Sequence, residues 1–220
     1  MEWPLLTPLP DVERDQLLAS TRHRSYDRGE ILVREGDPSD SLHLVESGRL
    51  AVRVDTPAGD TAMLNVLGPG AWFGELSLLG REAPVRTATV VALEPATTRT
   101  LATADFSDLR QRHAATGELL LTLLSRRVEE LSGRLVEAMY DGLDQRVCRR
   151  LLDLVETYRS DGEGAPVTIP LTQEQLAGMV GGTRPSVNEV LQRLTQQGVV
   201  ELGRGRIVVH QSGELARRVR

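Results

Sequence analysis

The sequence predicts an α+β chain in which an N-terminal antiparallel β-roll leads into one long amphipathic helix and then a helix-turn-helix followed by a hairpin. Three observations predict it. Residues from about Ser25 to Leu101 fall into short Val/Leu-rich runs separated by Gly, Pro and Asp turns, the texture of a many-stranded roll or barrel. A helical apolar period then replaces the alternation from about Glu118 to Met139. Beyond Pro166 the chain reads strand, helix, turn, helix and hairpin. At 220 residues there is enough chain for two domains, each with its own core. The expected divisions are a roll over 1–114, a helix and hinge over 115–142 and a C-terminal domain over 143–220.

In chain order, Asp11 to Ser20 has the spacing of a short helix, with Val12, Leu17 and Leu18 as apolar contacts. Strands are expected at Ile31–Val33, Leu42–Val45, Leu50–Val54 and Ala88–Leu93. Turns at Gly29, Gly36-Asp37-Pro38, Ser47-Gly48, Pro57-Ala58-Gly59-Asp60 and Gly68-Pro69-Gly70 punctuate them. A weaker helical pattern covers Asp105 to Gln111. In the long helix, Leu121, Leu124, Val128, Leu131, Leu135 and Ala138 are separated by 3, 4, 3, 4 and 3 residues, the a/d pattern of a two-stranded coiled coil. A single amphipathic helix packed on its own domain would read similarly. Because Leu120, Leu123 and Val136 widen the apolar surface beyond a narrow seam, the helix is expected to touch both its own roll and a partner helix. Asp141-Gly142-Leu143-Asp144 interrupts the period as a hinge, and Asp144 is placed to cap a helix running through Val147, Leu151, Leu152, Leu154 and Val155. Ser160 to Pro166 is a loop by composition.

The composition excludes several classes. No apolar run approaches the roughly 20 residues that span a bilayer, so no membrane partner is expected. The N-terminus lacks a basic start and an apolar stretch, and the single Cys148 cannot form an internal disulfide, so a cytoplasmic location is expected. His23, His43, His113 and His210 are scattered, which argues against a zinc or iron–sulfur site; no metal is expected. His43, on an alternating strand, is read as a packed or surface residue. Cys148 is read as a structural thiol, although Arg146, Arg149 and Arg150 nearby would lower its pKa. A β-barrel metalloenzyme would need clustered His and carboxylate ligands, which the roll does not offer. No nucleophile–base pattern, Walker loop or dinucleotide fingerprint occurs, so no enzymatic activity is expected. The formal net charge is −5, yet from Leu171 onward seven arginines face four glutamates, a net of +3. A basic module on an acidic body has the sign expected for local phosphate contact.

The C-terminal motifs sharpen that expectation. Thr172-Gln173-Glu174-Gln175 starts a helix with a capping Thr, followed by apolar Leu176, Ala177, Met179 and Val180. Gly181-Gly182-Thr183 gives a sharp turn, and Arg184-Pro185-Ser186-Val187-Asn188-Glu189 opens a second helix whose first turn tolerates Pro185. Val187, Val190, Leu191 and Leu194 form its apolar face. Thr183, Arg184, Ser186, Asn188 and Glu189 can reach base edges or phosphates from a helix N-terminus in the major groove, and Thr172, at the start of the preceding helix, is expected to contact DNA with them. Val199 to Leu202 and Ile207 to His210 flank a Gly203-Arg204-Gly205-Arg206 tip suited to a wing on the phosphate backbone. Two short helices around a Gly turn also occur in inert bundles.

In the roll, Phe73-Gly74-Glu75-Leu76-Ser77-Leu78-Leu79 and Arg86-Thr87-Ala88-Thr89-Val90 carry a second pattern. Gly74 can let backbone amides approach a ligand, Glu75 can accept from a ribose hydroxyl, Arg86 can pair with a phosphate and Thr87 can add a hydroxyl. Glu75 and Arg86 could equally form a surface ion pair between strands. With these motifs in this order, the chain from Ser25 to His210 resembles the cyclic-AMP receptor/fumarate-nitrate regulator superfamily of bacterial transcription regulators. The resemblance implies a cyclic-nucleotide-binding-like roll with Gly74, Glu75, Leu76, Arg86 and Thr87 in a phosphate-binding cassette. It also implies a ligand contact on the long helix at Leu131-Ser132, a homodimer, a pseudo-palindromic double-stranded DNA operator and RNA polymerase as a further partner. Cyclic-AMP-responsive members resemble one another in carrying Thr-Ser where this chain has Leu131-Ser132, which removes one hydroxyl from the adenine end. The segment Gly80 to Val85 is slightly long against the family pattern, and Pro185 stands where members reading the best-known operator carry Glu. The implied function is a dimeric DNA-binding regulator controlled by a small ligand in the roll; the alternative is the same architecture with a vestigial or repurposed pocket.

Overall fold

A chain that alternates Leu42, His43, Leu44 and Val45 can bury both faces of one strand only if it lies between two packed layers, and that is where this segment sits. The computed structural model describes the chain apart from residues 1, 2, 4, 5, 8, 56–60, 80–83, 113, 160–164 and 220. The expected turn at Pro57–Asp60, the long segment at Gly80–Ala83 and the loop at Ser160–Gly164 therefore lie outside the described residues, as do His113 and Arg220. Two compact units result: Met1–Val54 with Leu67–Leu131, and Asp55–Val66 with Ser132–Arg220.

In the first unit, helix α1 (Asp11–Ala19) precedes strands β1 (Arg22–Tyr26), β2 (Ile31–Val33), β3 (Ser41–Ser47) and β4 (Leu50–Asp55). After β5 (Thr61–Leu67) come β6 (Trp72–Phe73), a 3-10 helix at Glu75–Leu79, β7 (Thr89–Ala92), β8 (Ala96–Ala102) and helix α2 (Thr103–Arg112). The strands form two four-stranded sheets, ordered β1-β8-β3-β6 and β2-β7-β4-β5. In the first sheet His43 stands opposite Thr100 and Val45 opposite Thr98, while Arg22 and Arg24 stand opposite Thr100 and Thr98 from the other side. Strand periodicity therefore puts Arg22, Arg24, Tyr26, Ser41, His43 and Val45 on one face. Beyond its polar end that face is apolar, with Tyr26, Val45, Phe73 and Ala96 packed among Leu50, Val90 and Ala92. The opposite face carries Leu42, Leu44 and Leu101 into a second core with Trp3, Leu17, Phe106, Leu119 and Leu123. Strand β1, RHRSY, lacks any apolar alternation and β8, ATTRTLA, is Thr-rich, so neither stands out as an individual strand in the sequence, although β8 falls within the segment expected to be all-β. As an edge strand, β1 keeps its charges where an unpaired edge needs them.

Helix α3 runs Ala114–Tyr140, close to the extent the period predicts. Leu119 and Leu123 are buried and Leu124 packs half-buried against the same core. Leu121, Val128, Leu131, Leu135, Val136, Met139 and Tyr140 are all more than half exposed. Ala138 is exposed as well.

The second unit is organised around α4 (Leu143–Tyr158), whose buried Val147, Leu151, Leu154 and Val155 meet β9 (Val167–Ile169), α5 (Gln173–Val180), α6 (Arg184–Gln196) and α7 (Ser212–Arg218). Strands β10 (Val200–Gly203) and β11 (Arg206–Val209) complete a three-stranded sheet ordered β10-β11-β9. The expected cap at Asp144 is corrected: the helix begins earlier, Gly142 is the N-cap, and the Gln145 side chain accepts from the Gly142 amide at 3.2 Å. Asp144 lies inside the first turn and pairs with Arg193 on α6. The reading of Cys148 as a structural thiol agrees with its burial, and the lowered pKa that nearby arginines could give is not found. Burial raises its pKa, and Arg218 rather than its sequence neighbours is the cation opposing that shift.

Candidate functional site

The C-terminal groove follows from local capping. Thr172 Oγ1 accepts from the Gln175 amide at 3.2 Å and the Gln175 side chain accepts from the Thr172 amide at 2.8 Å, fixing where α5 starts. Gly181 ends α5 with φ +62°, a left-handed turn that sends the chain directly into Thr183, the N-cap of α6. Val187, Val190, Leu191 and Leu194 are buried, as their spacing predicts, so the opposite side of α6 faces out. Arg184 and Glu189 are exposed, and Ser186 and Asn188 half-exposed. Arg204-Gly205 forms the two-residue tip of the β10–β11 hairpin, with Gly205 at φ +68°.

A groove of about 320 Å³ brings three expected residues together: Thr172, Arg184 and Arg206 all line it, with Glu174 and Gly203. Thr183, Ser186, Asn188, Glu189 and Arg204 do not line it. Thr183 and Ser186 hold their hydroxyls 2.9 Å apart, and Thr183 accepts from the Ser186 amide at 3.4 Å; both help to set the start of α6. The groove is framed by two arginines from the recognition-type helix and the hairpin, with a helix N-terminus at its side. That combination suits phosphate and base-edge contacts.

In the roll, Gly74 takes φ +86° and is tightly surrounded: a Cβ there would come 2.5 Å from both an Arg86 Nη1 and the Ser41 carbonyl. Glycine is required at this point both by the backbone angle and by the space. Glu75 opens the 3-10 helix and is buried, while Leu76 is half-buried. Arg86 is buried too; its Nη1 donates to the Ser41 carbonyl at 2.8 Å, its Nη2 to Ser41 Oγ at 2.9 Å, and Asp40 lies 3.5 Å away. Its Nε is buried without a hydrogen-bond partner. Burial lowers the Arg86 pKa, with Asp40, Asp37 and Glu75 opposing. The ion pair between Glu75 and Arg86 that the sequence allowed is not formed. Glu75 instead faces Arg127 of α3 at 3.6 Å. Arg127 was missed in the sequence, where it was one of many charges on a long helix. Thr87 and Ser132 are exposed, and Ser132 belongs to the second unit.

His43 shares this environment. Its ring stacks on Phe73 with centroids 4.6 Å apart and contacts Ser41 Oγ at 3.4 Å and Thr100 Oγ1 at 3.3 Å. Burial, then Arg86 and Arg24, push its pKa down to about 3, with Asp40 opposing. A histidine lowered from 6.5 to about 3 stays neutral in the fold while the unfolded chain takes up a proton, so its contribution is present above pH 6.5 and is lost as pH falls toward 3. Each such proton steepens the slope by up to about 1.4 kcal/mol per pH unit. Between pH 6.5 and 5, above most carboxylate titrations, denaturant unfolding of the wild type should therefore fall in stability more steeply than that of His43→Gln. Parallel curves would remove His43 as the cause.

Comparison with known proteins places both regions in families. Residues 23–113 match the cyclic nucleotide-binding domain family and residues 145–218 the Crp-like helix-turn-helix domain family. A CRP-like cAMP-activated global transcriptional regulator of Mycobacterium tuberculosis is 31% identical over 199 residues, covering 89% of this chain and 87% of that protein. A cyclic AMP receptor protein of Thermus thermophilus is 31% identical over 212 residues, covering 96% of this chain and 94% of that one. Among solved structures, the Thermus thermophilus catabolite activator protein is 30% identical, covers 98% of both chains and superposes with a TM-score of 0.56. FixK2 of Bradyrhizobium japonicum, 17% identical over 90% of this chain and 96% of that one with a TM-score of 0.75, shares the fold.

Proposed function

The chain belongs to the cyclic AMP receptor/fumarate-nitrate regulator family of DNA-binding transcriptional regulators, and we propose that it acts as a homodimer whose operator affinity is set by a small ligand in the roll. The observation that carries the ligand reading is Arg86. A buried guanidinium with an unused Nε–H, set against a glycine with positive φ, is a donor that an anionic oxygen would satisfy. The sugar-phosphate of a cyclic nucleotide fits this set: Arg86 would hold the phosphate and Glu75 a ribose hydroxyl. Leu131 offers packing without a hydrogen bond, so the base would be read weakly.

Arg127 ties such a ligand to α3, because a ribose hydroxyl on Glu75 competes for the carboxylate that Arg127 now faces. At the far end of α3, Arg149 of α4 reaches back to Glu137 at 3.4 Å and Asp141 at 3.0 Å, so the joint after Tyr140 is held by ion pairs rather than left free. A ligand that shifts α3 would act on this joint and thereby on the spacing of two recognition helices, about 34 Å on one face of DNA.

Calorimetric titration with cyclic AMP and cyclic GMP tests the reading. Binding is expected to discriminate less than about tenfold between the bases and to weaken at least about tenfold in Glu75→Gln and Arg86→Ala. Tight binding with strong preference for cyclic AMP would overturn the inference from Leu131. Equal binding by Arg86→Ala would overturn the pocket. One observation favours the second reading, a pocket that takes no cyclic nucleotide: Glu75 and two of the three Arg86 nitrogens already have partners within the fold. No binding of either nucleotide by the wild type would select it.

A further inference from the structure

A second cavity, lined by Arg86 but not by Gly74, Glu75 or Arg127, has a volume of about 310 Å³. That is at the lower end of the roughly 300–1,000 Å³ typical of small-molecule sites. Its floor is the polar end of the roll interior, where Ser41, His43, Thr100 and Arg86 are all buried. The β1–β8 register sets Arg22 and Arg24 beside that floor, on the same face as Ser41 and His43. Asp37, in the turn after β2, and Asp105, at the start of α2, line the same space.

These four side chains are the informative ones. Beside the Arg86–Asp40 pair, which lines the same cavity, they add two cations and two anions, and among the described residues none of the four makes a salt bridge or a side-chain hydrogen bond, although Asp37 is close enough to Arg86 to raise its pKa. A ligand bearing one charge would satisfy half of the rim and be repelled by the other half. A ligand bearing both would satisfy all of it.

We propose that this cavity is a second ligand site, for a small zwitterion of the α-amino acid class, whose carboxylate engages Arg22 and Arg24 and whose ammonium engages Asp37 and Asp105. The neutral His43 and the hydroxyls of Ser41 and Thr100 give the floor donors and acceptors without adding charge, and the charged floor residue Arg86 is already held by Ser41 and Asp40. The four rim residues are separate from Gly74, Glu75 and Arg127, and Arg86 is the one residue that borders both sites.

The test is calorimetry on the full chain with a panel of free L-amino acids, set against acetate, methylamine and inorganic phosphate. At least one amino acid should bind once per chain, and acetate, methylamine and phosphate should each bind at least about tenfold more weakly. The variants Arg22→Gln with Arg24→Gln, and Asp37→Asn with Asp105→Asn, should each weaken amino-acid binding at least about tenfold while thermal unfolding stays in place. Cyclic-nucleotide titrations of the Arg22→Gln with Arg24→Gln variant should match the wild type, whatever the wild type does, which separates a failure here from a failure of the effector pocket. Phosphate or acetate binding as tightly as the best amino acid would make this a plain anion site and overturn the proposal. So would the absence of binding across the amino-acid panel, or binding that survives both double variants.

Discussion

A chain carrying Val128→Glu and Leu135→Glu is expected to sediment as a monomer at concentrations where the wild type is a dimer. Both positions lie on the outward side of α3, with Val128 63% and Leu135 60% exposed in the single chain. They belong to a run with Leu121, Leu131, Val136, Met139 and Tyr140, and an exposed apolar stripe of that length on one helix is unusual for a monomer. Across a parallel two-stranded seam each a or d residue meets its own symmetry mate, so each substitution sets two carboxylates against each other in place of an apolar contact. Neither residue belongs to the core that Leu119, Leu123 and Leu124 share with the roll, so each chain should keep its own fold. Leu124, which the heptad pattern placed in the seam, is a poorer choice for this reason. A dimer unchanged by the two substitutions, with far-UV circular dichroism like the wild type, would remove α3 as the interface. A wild type that is monomeric would do the same.

How much of this was legible in the sequence depended on how local the cause was. The extent of α3, the Thr172 cap and the turn at Gly181 rest on residues within one or two helical turns of each other, and the structure places them close to where those residues indicate. Strands β1 and β8 were not legible as individual strands, because Arg22, Arg24 and the threonines of β8 take their places from cross-strand partners many residues away. The cap of α4 failed for a different reason: Asp144 is the better capping residue by type, but Gln145 can reach the Gly142 amide, and that starts the helix two residues earlier. In the roll, Gly74, Glu75 and Arg86 could be named from their spacing, whereas Arg127 could not. Its only signal is its contact with Glu75, a residue 52 positions earlier in the numbering, and no local pattern reports a contact of that range.

Arg184→Ala is expected to abolish most discrimination between a selected operator and random DNA while leaving dimerisation and thermal unfolding unchanged. Arg184 opens α6, is exposed, and lines the groove shared with Thr172 and Arg206. An arginine at the first turn of a helix in the major groove can donate two hydrogen bonds to one guanine, which contributes about 1–3 kcal/mol of discrimination per contact. A symmetric dimer makes that contact twice, so the loss in specificity ratio should be roughly thirtyfold to ten-thousandfold. The fold should tolerate the change because the start of α6 is set by Thr183 and Pro185, and its packing by Val187, Val190 and Leu191, none of which the substitution touches. Arg206→Ala supplies the contrast. Arg206, the first residue of β11, is expected to contact the phosphate backbone, so its loss should weaken binding to operator and random DNA alike and lower the salt dependence by about one phosphate contact per chain. Gel-shift titrations of both variants over a range of salt concentrations read the two effects separately. If Arg184→Ala keeps the wild-type ratio of operator to random affinity, or if Arg206→Ala changes that ratio and Arg184→Ala does not, then α6 is not the reading helix and the hairpin is.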